Sequence, residues 1–134
     1  MDDGKARRTA PEIDARGIRP AASFAIADRA AASGIAVLAL EGELDLSAAP
    51  KLRARIEEAA TGRALVIDLR RVTFVDSAIL KELLRARATL GEREAQLVLA
   101  GAPMPVRRLL DLTRTAELFD QAPDVETAIT RLIA

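Results

Sequence analysis

The chain's 134 residues carry twenty basic and twenty acidic side chains and neither histidine nor cysteine. That length suits one domain with its own core, and the cancelled charge supplies no field to draw it to nucleic acid or anionic lipid. Without His or Cys there are no disulfides, thiol nucleophiles, ordinary zinc sites or Ser–His dyads, and a reducing cytoplasm is the expected compartment.

Residues 1–22, "MDDGKARRTAPEIDARGIRPAA", mix both charges with Gly4, Gly17, Pro11 and Pro20 and have no sustained apolar period. They read as a flexible extension, and no apolar core of a secretory signal is present. The folded unit is expected over 23–134. "SFAIADR" (23–29) alternates weakly, as an edge strand does, and "IAVLALE" (35–41) is a short apolar run of the kind buried on both faces of a sheet. The longest uncharged apolar stretch, about Ala30 to Leu40, is far below the roughly 18–20 residues that cross a bilayer, so membrane insertion is not expected.

"SAAPKLRARIEEAA" (47–60) spaces Leu52, Ile56 and Ala59 for a helix, with Pro50 near its start and Gly62 as its stop. "ALVIDL" (64–69) is a second buried strand. "SAILKELLRARATL" (77–90) puts Ile79, Leu80, Leu83, Leu84 and Leu90 on one stripe and Lys81, Glu82, Arg85 and Arg87 away from it, with Gly91 ending the helix. "AQLVLA" (95–100) reads as a strand, "PVRRLLDLT" (105–113) as a helix, "ELFD" (117–120) as a short strand, and "DVETAITRLIA" (124–134) as a last helix capped by Asp124. The core must be aliphatic, because the only aromatics are three Phe, and so few also disfavour stacking on single-stranded bases.

Strands alternating with about four helices predict an α/β fold: a single domain with a mixed, mostly parallel sheet and right-handed crossovers. In such a sheet every strand-to-helix loop lies on one edge. "GELDLS" (42–47), "RRVTFVDS" (70–77) and "GAP" (101–103) are therefore expected side by side, with Asp45 and Ser77 within side-chain reach. Glu41, Glu43, Asp45, Asp68 and Asp76 gather near strand ends, where an acidic pocket for Mg²⁺ is conceivable. Caps and solvated turn residues are the plainer reading of these acids. No Gly-rich phosphate loop is present, so no cofactor, metal site or catalytic residue is assigned.

Asp76 and Ser77 are both good helix caps, and one helix needs one cap. If Asp76 caps, the Ser77 hydroxyl is free at the loop edge, where a phosphate would meet the positive end of the helix and add about −2 charge beside Asp76.

"VLALEGELDLSAAPKLRARI" followed by "ALVIDLRRVTFVDSAILKELL" resembles the STAS domain, shared by sulphate transporter tails and bacterial anti-sigma factor antagonists. The likeness runs from about residue 24 to 134. It rests on a G-E-L-D box after a buried strand, a D-L ending the next strand, and F-x-D-S opening the following helix. The resemblance implies that Ser77 is phosphorylated by a partner anti-sigma factor/serine protein kinase and that Asp45 lies next to it. It implies a partner-binding edge of Asp45, Asp76 and Ser77, to which the basic side of the 77–90 helix adds Lys81 and Arg85. The family reads D-S-S/A-G-L where this chain has "DSAIL", so Ile79 adds a branched side chain at the first turn, where Gly would allow a partner's close approach. The function expected is that of a cytoplasmic antagonist that binds an anti-sigma factor and lets go when Ser77 is phosphorylated. The alternative is a STAS subunit of a lipid or anion transport complex, without that switch.

Overall fold

A computed structural model describes residues 23–30 and 33–134. The extension assigned to 1–22 lies outside the described residues. Five strands form one sheet in the order β1 (Phe24–Ala30), β2 (Ile35–Leu44), β3 (Ala64–Val75), β4 (Gln96–Ala100) and β5 (Asp120–Ala122). β1 runs antiparallel to β2, and the other neighbours are parallel. Four helices join and follow them: α1 (Ala49–Ala59), α2 (Ser77–Glu92), α3 (Met104–Leu112) and α4 (Val125–Ile133).

Because the parallel strands follow one another in chain order, right-handed crossovers must fall on one face of the sheet. Residues of α1, α2 and α3 accordingly share one large core with the side chains on that face, among them Leu38, Leu40, Leu65, Ile67, Leu69 and Leu99. The opposite face meets α4 alone, through Val37, Val66, Val98, Ala128 and Leu132. No β-branched or aromatic run was needed to fill these layers: aliphatic side chains close both.

Four boundaries differ from the sequence expectation. β3 does not stop at Leu69 but continues through "RRVTFV" to Val75. Its register against β2 shifts twice, between Ala39 and Glu41 and again between Gly42 and Glu43, so β3 carries extra residues at both places. Such bulges interrupt the alternation by which a strand is recognised. Buried Asp68, 6% exposed, accepts the Arg70 N–H at 3.1 Å within the first of them. That carboxylate is thus neither a cap nor a solvated turn residue.

Gly91 does not end α2. The left-handed residue is Glu94, at φ 59°, and the Ala95 and Glu94 N–H groups bond the carbonyls of Leu90 and Gly91 in a Schellman closure. Gly91 lies in the last helical turn with open space where a side chain would go. Gly91→Ala should therefore stabilise the fold by about 0.5–1 kcal/mol through the helix preference alone, read as a higher urea midpoint with unchanged slope.

Glu82 is buried, 5% exposed, although its neighbours on the sequence stripe are solvated; it faces α1 and is described with the site. Lastly, "ELFD" is not a strand. Ala116–Leu118 form a 3₁₀ turn that drives Phe119 into the core, and β5 begins only at Asp120. The caps of the remaining helices follow the sequence reading: Asp124 accepts the Thr127 N–H at 2.7 Å at the start of α4, and this bond is the main reason its carboxyl is held below the usual range.

Candidate functional site

The last paired residues of β2 and β3 are Leu44 and Val75. The next residue on each strand, Asp45 and Asp76, therefore leaves the sheet at the same level on adjacent strands. Both carboxylates do the same work. Asp45 Oδ1 accepts the Ser47 N–H at 3.0 Å and the Ser47 hydroxyl at 2.6 Å, opening the 3₁₀ turn Leu46–Ala48 that leads into α1. Asp76 Oδ1 accepts the N–H groups of Ala78 at 3.0 Å and Ile79 at 3.3 Å, capping α2. The Ser47 hydroxyl, then its N–H, holds the Asp45 carboxyl below the ordinary carboxylate range.

With Asp76 as the cap, Ser77 is the first residue of α2 and is exposed. Among the described residues nothing bonds its hydroxyl. The edge thus presents an unengaged hydroxyl at the positive end of a 16-residue helix, flanked by two half-buried acids. Lys81 and Arg85 follow at helical intervals of four, both exposed, and extend one stripe from Ser77 down α2.

Arg85 is partly committed. Its Nε lies 3.5 Å from Glu82 Oε1, while Arg53 of α1 grips the same carboxylate with two bonds, Nε at 3.1 Å and Nη2 at 2.9 Å. The Arg53 bonds, against the opposing effect of burial, hold Glu82 below the usual carboxylate range. This clamp joins the two helices that start from Asp45 and Asp76. Periodicity had placed Glu82 on the outside; no local signal in the sequence marks a carboxylate whose partner lies 29 residues earlier.

Ile79 is 1% exposed and belongs to the main core. Its branched side chain enters the protein and does not crowd the surface beside Ser77. Two apolar residues at this edge escaped the sequence reading: Leu46, 71% exposed beside Asp45, and Phe74, 48% exposed just before the cap. Exposed side chains of this type are the usual anchors of a docked partner.

The third loop does not join this edge. β4 pairs with β3 only as far as Asp68, and β3 runs on to Val75, which at about 3.3 Å per residue leaves the 101–103 loop on the order of 20 Å short. Gly101 lies instead against Arg70. There, on the α4 face, a hollow of about 340 Å³ is lined by Arg29, Asp68, Arg70, Asp124 and Glu126 among others. Its charges are mixed, and among the described residues no three acids are grouped to hold a metal ion. No helix among them is long and apolar enough to cross a membrane.

Residues 28–120 match the family described as "Mlab, STAS domain". The chain is 35% identical over 101 residues to the anti-sigma-F factor antagonist RsfB of Mycobacterium tuberculosis, covering 72% of this chain and 83% of that one. It is 36% identical over 81 residues to a STAS-domain containing protein of Pseudomonas aeruginosa, covering 60% and 80%. The crystal structure of an anti-sigma factor antagonist from Mycobacterium paratuberculosis superposes with a TM-score of 0.75 at 29% identity, over 84% of this chain and 96% of that one.

Proposed function

The chain belongs to the STAS-domain family, and from that premise we propose that it is an anti-sigma factor antagonist-like regulator, switched by phosphorylation at Ser77. It works in the cytoplasm by binding an anti-sigma factor that is also its serine kinase. Catalysis belongs to that partner; this chain is ligand and substrate.

The observation that carries the reading is the division of labour at the start of α2. Asp76 alone satisfies the first helical N–H groups, so Ser77 can be buried by a partner or modified without undoing the cap. An uncharged hydroxyl enters an interface at small cost. A phosphate dianion there would have to be desolvated, and Asp76 beside it would add repulsion. The same group is tolerated in the free protein, where the helix end and water surround it. Leu46 and Phe74 supply apolar contact, and Lys81 and Arg85 give the partner an acidic counterpart to present.

The test compares three chains against the cognate kinase. Ser77→Ala should keep the affinity and take up no phosphate. Ser77→Asp should bind about tenfold more weakly, or roughly 1.4 kcal/mol, since one carboxylate imitates a dianion incompletely. Melting of both variants should stay within about 0.5 kcal/mol of wild type because the cap is untouched. A wild-type chain that accepts no phosphate, together with full affinity in Ser77→Asp, would favour the transporter-subunit reading instead. That reading drew its support from Ile79, and the burial of Ile79 removes it.

A further inference from the structure

The chain enters the sheet at the same edge that carries Ser77. β1 is antiparallel to β2, so its first residue, Phe24, pairs with Gly42 near the end of β2. One residue earlier, the Ser23 carbonyl accepts the Glu43 N–H at 2.8 Å. Residues 1–22 are thereby tethered beside Glu43, two positions before Asp45.

Their charge is unevenly placed. The acids Asp2, Asp3, Glu12 and Asp14 all precede Ala15, whereas "ARGIRPAA" (15–22), the part nearest the sheet, contains Arg16 and Arg19 and no acid. The edge has the opposite bias: Glu43, Asp45 and Asp76 are engaged in no ion pair among the described residues. Reach is sufficient. Two strand spacings of about 4.8 Å separate the β1 and β3 lines, and two residues' rise leads to Asp76, for a span of roughly 12 Å. The step from Arg19 to Ser23 extends up to about 13 Å before the arginine side chain is counted.

We propose that residues 15–22 act as an intramolecular arm whose Arg16 and Arg19 occupy the Glu43–Asp45–Asp76 edge and close on the phosphate when Ser77 carries one. The phosphate clause rests on the reading of Ser77 given above. A guanidinium is the suitable partner, because its planar fork bonds carboxylate and phosphate oxygens in pairs. The arm would compete with any partner for the edge. It would do so weakly against the carboxylates and more strongly once the dianion is present, turning phosphorylation from mere repulsion into active covering of the interface. The contact needs only side-chain charge. The arm has no apolar stripe with which to fold, so its amides should remain poorly protected from hydrogen exchange.

The test uses the full chain with phosphoserine installed at position 77 during synthesis, followed by ³¹P resonance against pH. The second ionisation of the phosphate should lie about half a unit lower in the native arm than in Arg16→Ala/Arg19→Ala, with the gap shrinking at 1 M salt. Arg16→Lys/Arg19→Lys should retain part of the difference, since the charge remains and the fork is lost. Asp45, Asp76 and the helix end are common to all three chains and cancel. Identical titrations for the native and alanine chains would overturn the arm. A failure of the Ser77 reading would appear separately, as no phosphate transferred by the kinase, because here the phosphate is supplied without it.

Discussion

Gly42→Ala should destabilise the fold by about 3 kcal/mol, lowering the melting temperature by roughly 10–20 °C. Gly42 has φ 90°, outside the narrow left-handed region that other residues tolerate. A Cβ there would also press into the Ser23 carbonyl oxygen, well inside van der Waals contact, and lie 3.1 Å from Phe24 Cα. Both obstacles are backbone, so no side-chain rotation can relieve them. Relief requires β1 to move away at its first residues, which breaks the bond from Glu43 N–H to Ser23. The glycine of the G-E-L-D box is therefore the hinge pin between the arm's point of entry and the Asp45 cap. Thermal unfolding of Gly42→Ala, with Gly91→Ala as a same-residue control in open space, measures the effect. Equal melting of Gly42→Ala and wild type would show that β1 does not cross at Gly42 as described.

The period-based part of the fold was legible in the sequence because each element spoke for itself. Leu52 and Ile56 of α1, or Leu65 and Ile67 of β3, are buried as their spacing requires. The cap pair was legible too, since Asp45 and Asp76 act on N–H groups two or three residues away. The contents of "RRVTFV" were not. Two bulges make its exposure run against a period of two, so a strand looked like a connection, and the placement of the third loop failed with it. Arg55 was equally hidden. Its side chain, 6% exposed, reaches Ile26 O at 3.1 Å and Asp28 at 2.9 Å, holding β1 to α1. An arginine on a helix is ordinarily solvated, and only the tertiary fold brings β1 over it. The resemblance to the STAS family supplied what local pattern lacked at the site itself, the pairing of the G-E-L-D box with the F-x-D-S helix start.

Breaking the clamp between α1 and α2 should cost nearly as much as disturbing Gly42, and its cost should depend on pH. Arg53→Met keeps an apolar stem of similar reach but leaves Glu82, 5% exposed, with only the longer Arg85 contact. Removing one member of a buried pair typically costs about 3–5 kcal/mol; the half-exposed Arg53 and the remaining Arg85 reduce the expectation to about 2–3 kcal/mol. In the folded wild type Glu82 titrates below its ordinary value of 4.5. Its contribution is therefore fully present above that value and is lost as pH falls through the lower folded-state pKa, where the carboxyl is protonated in both states. Wild type and Glu82→Gln should accordingly differ at pH 7, and their unfolding free energies should converge below about pH 4. Denaturant unfolding at several pH values measures both. A gap that is constant with pH would mean that Glu82 contributes packing and no charge. The double variant Arg53→Met/Glu82→Leu should recover much of the loss, because two apolar side chains replace the pair without leaving either charge buried. If the clamp also sets how the Asp45 and Asp76 ends of the two helices meet, partner affinity in the double variant should fall while its stability is restored. That separation of affinity from stability would mark the clamp as a positioning element of the Ser77 edge.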